Sequence, residues 1–375
     1  MKLLASVTAV SIAATGLFNP ALTAAPAAAA SGCARTLPGF VHQLTHTASR
    51  KKIGWVASDG FSSVGLAGGK SLFMFGDTLY GTHAGKRLIR GRFQRNTAAV
   101  YTPTRSPCVH VFGGAHGSGV LPTPHPSHAW YWPGTPIRIG KTVIEPASFM
   151  RSTGAGSMAF RSTRDDLITI KVSATAVKRT RVRTLALAAQ PATGSASRIS
   201  WSAGTYVDGS WTYFAGSSLR HGMYGHDIVL ARILTADVAH AAHPGSAAQY
   251  LTTAGWSRSA DYASLRHIVD GSGDATVSMI AVGGQVHIVY KQYSALGDTI
   301  VDTHARSWDG QYQRTVLTAA PVVPGTVTYS LNLHPEFGIH ASTVWATLNH
   351  NAWSGSTTSD VSLYQPSVLR LTLPT

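Results

Sequence analysis

A short alternating run of apolar and polar residues, opened by a small turn residue, recurs along the chain. It reads Gly69-Lys-Ser-Leu-Phe-Met-Phe, then Gly140-Lys-Thr-Val-Ile, Gly209-Ser-Trp-Thr-Tyr-Phe and Gly284-Gln-Val-His-Ile-Val-Tyr. A fifth, less regular copy runs His340-Ala-Ser-Thr-Val-Trp-Ala-Thr-Leu. The leading positions are 71, 69, 75 and 56 residues apart. Each run follows another strand candidate, over 55–65, 130–139, 199–207, 275–282 and 328–337. A period of two with a glycine-containing turn between two such runs predicts a β-hairpin. Segments 98–101, 228–233 and 299–307 supply further strands. Five units of about four strands each predict an all-β fold, a five-bladed β-propeller in a single domain over 31–375. Two β-sandwiches would suit the near-constant spacing less well. Helix is scarce; the best candidate is 235–242, with Thr235 as its cap.

Composition narrows the function classes. Charged residues are 13% of the 375, while Gly (37), Trp (9) and Tyr (13) are abundant, which excludes helical bundles, coiled coils and disorder. Residues 1–30 read as a secretory signal peptide: Lys2, an apolar stretch over 3–18, then small residues ending Ala28-Ala29-Ala30. That stretch is too short and alanine-rich for a membrane span, so a secreted or envelope-associated protein is expected. Cys33 and Cys108 then predict one disulfide, with lipidation of Cys33 as the alternative. Of the formal charge of +15, only Lys2 lies in the leader, so the remainder carries +14. Such a surface concentrates anionic polymers such as cell-wall glycans, or simply aids solubility. The densest basic cluster, 178–183, alternates as a solvated edge strand would. No phosphate-cradling glycine motif is present, and no nucleic-acid-reading motif accompanies the basic charge.

Acid–base chemistry has few candidates, because the chain has two glutamates, Glu145 and Glu336, and 14 aspartates. Asp59 stands in Trp55-Val-Ala-Ser-Asp-Gly-Phe, where the first unit begins, and Asp77 ends the apolar run Leu72-Phe-Met-Phe-Gly-Asp-Thr. A hairpin would bring both to one end of the first unit. Glycoside hydrolysis needs such a pair, one carboxyl to protonate the leaving oxygen and one to attack or activate water. The apolar neighbours Trp55, Phe61 and Phe75 would raise one pKa. The plainer reading is that Gly-Asp-Thr is a turn in which Asp77 bonds its own backbone.

These residues carry a resemblance. The stretch 55–81 resembles the opening blade of secreted bacterial propeller families, many labelled domains of unknown function, some of whose relatives are endo-D-arabinanases acting on cell-wall arabinan. The likeness continues through Trp130-Tyr-Trp-Pro-Gly, Ile199-Ser-Trp-Ser-Ala-Gly, Leu230-Ala-Arg and Gly255-Trp256 to Asn332-Leu-His-Pro-Glu-Phe and Leu348-Asn-His-Asn. It implies a five-bladed propeller with Asp59 and Asp77 as catalytic positions and Glu336 as a third acid lining the channel. Two positions depart from the pattern. Thr135 stands where an acid usually follows Trp-Pro-Gly, and Asp274-Ala-Thr-Val-Ser replaces an Asn-Glu-Phe-Ser-like segment, so that Asp274 stands in for a glutamate with shorter reach.

Around this set, His334, Asp274 and Asn349 are expected to contact substrate, with Trp132 and Trp201 stacking on sugar rings. The alternative for each tryptophan is core between blades, and for His334 a satisfied structural histidine. Seventeen histidines invite a metal reading, through His240/His243, His221/His226 or His125/His128, but no three converge in sequence. No metal or cofactor is expected. A serine nucleophile lacks support, since Ser157 in Gly154-Ala-Gly-Ser has no strand–turn–helix context. The sequence thus points to a monomeric, secreted, glycoside-hydrolase-like propeller acting on a polysaccharide. A non-catalytic glycan-binding propeller or a basic envelope adhesion protein is the alternative.

Overall fold

The computed structural model describes residue 33 and residues 35–375, apart from 114–118, 122, 124–127, 155–158, 174–175, 189, 192–196, 221–224 and 354–356. The leader 1–30, His125, His221 and Ser157 therefore lie outside the described residues. All five repeated runs form the second strand of an antiparallel hairpin: Ser71–Phe75, Thr142–Ser152, Trp211–Leu219, Gln285–Lys291 and Thr343–Ala352. Four turns place Gly69, Gly140, Gly209 or Gly284 at φ between 56° and 74°. The irregular fifth copy has no glycine there, and Ala341 and Ser342 take the left-handed conformation instead, at 47° and 62°.

Each hairpin nucleates one sheet. The first sheet runs Ser62–Gly65, Ser71–Phe75, Thr97–Tyr101, Val109–Phe112. In the second, Ala129–Pro133 and Ile137–Ile139 share the partner Thr142–Ser152, followed by Phe160–Val172 and Val177–Thr184. The third is built on Ser200–Asp208, Trp211–Leu219 and His226–Leu234. The fourth runs Ser278–Val282, Gln285–Lys291, Thr299–Ala305, Gln313–Ala319, and the fifth Thr326–Leu333, Thr343–Ala352, Ser367–Thr372. The basic segment 178–182 lies exposed on an edge strand of the second sheet.

Because side chains alternate across a strand, each sheet offers two apolar faces. Leu72, Met74 and Val100 of the first sheet meet Ala147, Phe149 and Ile168 of the second. Ile144 and Leu167 meet Trp201, Phe214 and Val229 of the third. Tyr213 and Ile228 meet Met279, Ile288 and Val301 of the fourth, whose other face presents Val289 and Ile300 to Leu331, Val344 and Leu348 of the fifth. Phe337, Trp345 and Val368 then pack back on Phe73 and Phe75 of the first. Burying side chains of this size stabilises by roughly 1.5–3 kcal/mol each, which explains why no single long apolar segment is needed.

Three features depart from the sequence reading. The run 55–65 is two strands in different sheets: Gly54–Ser58 joins Thr78–Ala84 and Arg87–Gln94 in a separate three-stranded sheet, and only Ser62–Gly65 enters the first. Gly60, at φ 66°, makes the break. A helix, Leu37–Thr45, precedes the sheets; Thr36 caps it by accepting from Gly39 N, and Leu37, Phe40 and Leu44 are buried. The other helix, Thr235–His240, has no side-chain cap, because Thr235 lies inside it and its hydroxyl accepts from Thr212 at 3.2 Å.

Cys33 and Cys108, 75 positions apart in sequence, form a disulfide with Cα atoms 6.0 Å apart. It ties the segment before the first helix to the first sheet. Cys33→Ser/Cys108→Ser is expected to lower stability by about 2–4 kcal/mol in urea unfolding, since the unfolded chain regains the entropy of an open loop. Among the described residues, no helix is long and apolar enough to cross a membrane.

Candidate active site

The break between the first two strands places Asp59 directly against Asp77. Gly76 N donates to the Asp59 carbonyl at 2.8 Å, Asp59 N donates to the Asp77 carbonyl at 3.2 Å, and Asp77 N donates to Asp59 Oδ1 at 2.7 Å. The two flanking glycines are sterically required. A Cβ on Gly76 would fall 2.3 Å from Asp59 Oδ1, and one on Gly60 would fall 2.7 Å from Gly76 N. Ser-Asp-Gly and Gly-Asp-Thr are thus two halves of one close crossing. The Asp77 carboxyl does not close a turn on its own backbone; the Asp59 carboxylate takes that N–H instead.

Residues from distant parts of the chain complete the surroundings. Tyr329, in the first strand of the fifth sheet, donates to Asp59 Oδ2 at 2.8 Å. The Tyr364 hydroxyl, at the end of a short 3-10 helix, also faces Asp59 and stabilises its anion. Asp77 Oδ2 pairs with Arg95 at 3.2 Å, and Trp132 Nε1 donates to Asp77 Oδ1 at 3.3 Å. The Arg95 guanidinium stacks 4.0 Å above the Trp130 ring.

Burial pushes both carboxyls up from 3.8. The negative charge of Asp59 lifts Asp77 further, to about 8, against the opposing pull of Arg95 and Trp132. At Asp59 the hydrogen bonds from Tyr329, Tyr364 and Asp77 N oppose the rise that burial causes. Burial and the charge of Asp59 also push the Tyr329 and Tyr364 hydroxyls well above 10, so both remain protonated donors. The arrangement is an anionic carboxylate beside a carboxyl that keeps its proton near neutrality. That is a division of labour suited to acid–base chemistry.

Of the other residues singled out in the sequence, Trp132 joins the pair and the rest lie apart from it. Glu336 accepts from Ser63 at 2.5 Å and lies 3.5 Å from His334 Nδ1; no hydrogen bond links it to either aspartate. His334 is fully buried, bonded to Ser63 and Thr347 at 2.7 and 2.9 Å. Trp201 is fully buried between the second and third sheets, so it offers no face to a sugar. Trp132, by contrast, is only half-buried, and its Nε1 reaches Asp77. Glu145 is buried within Thr142–Ser152, and burial pushes its carboxyl well above its ordinary value.

Asp274 and Asn349 act one step away. Both Asp274 oxygens are taken by backbone N–H groups, Ser330 at 2.9 Å and Ala275 at 2.7 Å, and Asn349 Nδ2 donates to the Ser330 carbonyl at 3.1 Å. Ser330 sits at φ 50°, where the strand register slips between Tyr329 and Leu331. This clamp holds the bulge that aims Tyr329 at Asp59. Asp274→Ala should remove the acceptor of two N–H groups, half-buried at Ser330 and more exposed at Ala275, and lower the urea midpoint by an amount corresponding to roughly 1 kcal/mol or more.

Tyr329, Tyr364 and Arg95 carried no signal in spacing or motif. Of the described residues, two groups gather three metal-ligating atoms within 4.8 Å: His287, Asp302, His304, and Asp227, His267, Asp270. Neither includes a residue bonded to Asp59 or Asp77. His240 and His243 are exposed and belong to neither group.

A family model described as a domain of unknown function, DUF5005, matches residues 43–371. The chain belongs to the DUF5005 family. No curated protein sequence matches this DUF5005 chain at a significant level. Among solved structures it is similar to a protein from Bacteroides ovatus provisionally assigned as a hydrolase, at 14% identity and a TM-score of 0.67, covering 88% of each chain. It is also similar to levansucrase from Bacillus subtilis, at 8% identity and a TM-score of 0.51, covering 85% of each chain. An alpha-L-arabinanase from Cellvibrio cellulosa matches at 9% identity and a TM-score of 0.49, over 85% of this chain and 92% of that one. At these identities the first two likenesses are ones of fold.

Proposed function

We propose that this DUF5005 chain is a secreted five-bladed β-propeller that hydrolyses glycosidic bonds in a cell-wall or extracellular polysaccharide. The observation that carries the reading is the crossing of Asp59 and Asp77, with one carboxyl pushed to about 8 beside an anion held by two tyrosines. Asp77 protonates the leaving oxygen. Asp59 attacks the anomeric carbon or activates water, while Tyr329 and Tyr364 keep it oriented and ionised. Trp132 donates to Asp77, and we assign its ring the stacking contact with a sugar. Glu336 enters as an interior acid held by Ser63 and His334, and we assign it no proton transfer. The hydrolase assignment of the Bacteroides ovatus relative supports the reaction class. The disulfide suits an oxidising compartment, and the +14 carried after the leader suits an anionic glycan partner.

An arabinofuranose polymer is the first substrate to test, on the sequence resemblance of 55–81. The experiment is incubation of the mature protein with a panel of wall polysaccharides, followed by analysis for released oligosaccharides. One observation favours a second reading, a glycan-binding propeller without turnover. Thr135 replaces the usual second-blade acid, and Asp274 has both oxygens committed to backbone N–H groups, so it cannot supply the lost one. Binding to a polymer without product release would support that alternative.

A further inference from the structure

The fourth sheet holds a second polar cluster, remote in bonding from the aspartate pair. Its strands Gln285–Lys291 and Thr299–Ala305 run antiparallel, with His287 directly opposite His304 and Val289 opposite Asp302. Alternation puts His287, Asp302 and His304 on the face that carries Val289 and Ile300 into the apolar contact with the fifth sheet. Their exposures are 0%, 0% and 6%. Three ionisable side chains in an apolar layer are costly unless each polar atom is satisfied.

Protons alone do not satisfy them. His287 Nε2 lies 3.3 Å from the Val282 carbonyl, which can only accept, so Nε2 carries the ring proton. The Nδ1 of a neutral ring then presents a lone pair to Asp302 Oδ2, 2.9 Å away. His304 Nδ1 is 3.0 Å from the same oxygen, yet it is not aligned for a hydrogen bond. Asp302 Oδ1 has no partner either. A second proton on His287 would answer one of these contacts and leave His304 Nδ1 and Asp302 Oδ1 unmet.

We infer that His287, Asp302 and His304 form a buried site for a divalent transition-metal cation of the zinc class. Such an ion takes ligand atoms at about 2.0–2.2 Å, which places neighbouring ligands roughly 3.3 Å apart in a tetrahedron. The separations of 2.9 and 3.0 Å lie a few tenths of an ångström inside that value. The bond from His287 Nε2–H to a backbone carbonyl is the outer contact that orients metal-bound imidazoles. Two imidazoles and one carboxylate select a borderline-soft cation over calcium or magnesium, which take oxygen-rich sets. Bridging adjacent strands at a packed face, the ion would brace the contact between the fourth and fifth sheets. The inference is independent of the hydrolytic reading.

The test uses the full mature chain without an affinity tag, stripped with a chelator and titrated with Zn²⁺. One equivalent should be retained after dialysis, and Tm should rise by roughly 2–5 °C at saturating metal. Co²⁺ in place of Zn²⁺ should give the visible absorption of a low-symmetry site. His304→Gln and Asp302→Asn should each lose the retained equivalent and the shift. Asp270→Asn, in the more exposed Asp227–His267–Asp270 group, should keep both. In ¹⁵N spectra of the wild type, Zn²⁺ should move the Nδ1 resonances of two histidines, a readout that needs no variant to fold. No retained zinc, a shift that survives His304→Gln, or unmoved histidine resonances would each overturn the assignment.

Discussion

Asp59→Asn and Asp77→Asn are each expected to lower polysaccharide turnover by about 10²–10⁴-fold, the typical contribution of a positioned acid or base, while leaving the protein folded. The geometry explains why the two outcomes separate. An asparagine at 59 can still accept from Asp77 N through its Oδ1, and the Tyr329 hydroxyl can rotate to accept from the new amide. Nothing in that arrangement attacks a sugar or takes a proton. An asparagine at 77 still accepts from Arg95 or Trp132 but has no proton to give. Oligosaccharide release and circular dichroism on the same preparations check both halves. If the wild type releases nothing, and binds a polymer with an affinity that neither substitution alters, the catalytic reading fails and the glycan-binding one replaces it.

The second expected result concerns pH. With Asp77 pushed up to about 8, activity should fall tenfold per unit above that pH as the acid form disappears. Stability should change with the same sign. The folded chain keeps a proton on Asp77 that the unfolded chain, titrating near 3.8, has already released. Between those values the native state binds more protons, so stability falls as pH rises, by up to about 1.4 kcal/mol per unit. His226 and His350 act oppositely but lower down. Burial holds both near 4, so their contribution grows as pH rises to 6.5 and is flat above it. The interval from 6.5 to 8 therefore reports the carboxyls. Asp77→Asn should be more stable than wild type at pH 8 and show a shallower slope in urea unfolding across that interval. Equal slopes would mean that Asp77 is ionised throughout, and it could not serve as the acid.

The Asp59–Asp77 crossing was legible because its causes are local. Gly60 must turn at positive φ, and Gly76 must leave room for Asp59 Oδ1, so the residue types around both acids are written beside them in the chain. The five hairpins were legible for the same reason, through alternation and the glycine turns. The helix Leu37–Thr45 also had its signals, a Thr36 cap, Pro38 and buried positions three and four apart, although the strand-rich pattern overshadowed them.

What only the tertiary structure decided is which distant side chains meet. Tyr329 reaches Asp59 across 270 residues of chain, because the fifth sheet packs back on the first and Asp274 and Asn349 hold the bulge at Ser330. Trp132 and Trp201 look alike in their motifs, yet one donates to Asp77 and the other is sealed between sheets. A strand's register, shifted by one residue, reverses which face a side chain takes, and local sequence does not state that register. The same holds for His287, Asp302 and His304, which share a face only because two strands pair with His287 opposite His304. Local sterics wrote the turns and the acid pair into the sequence; register and the packing of the last sheet on the first chose everything around them.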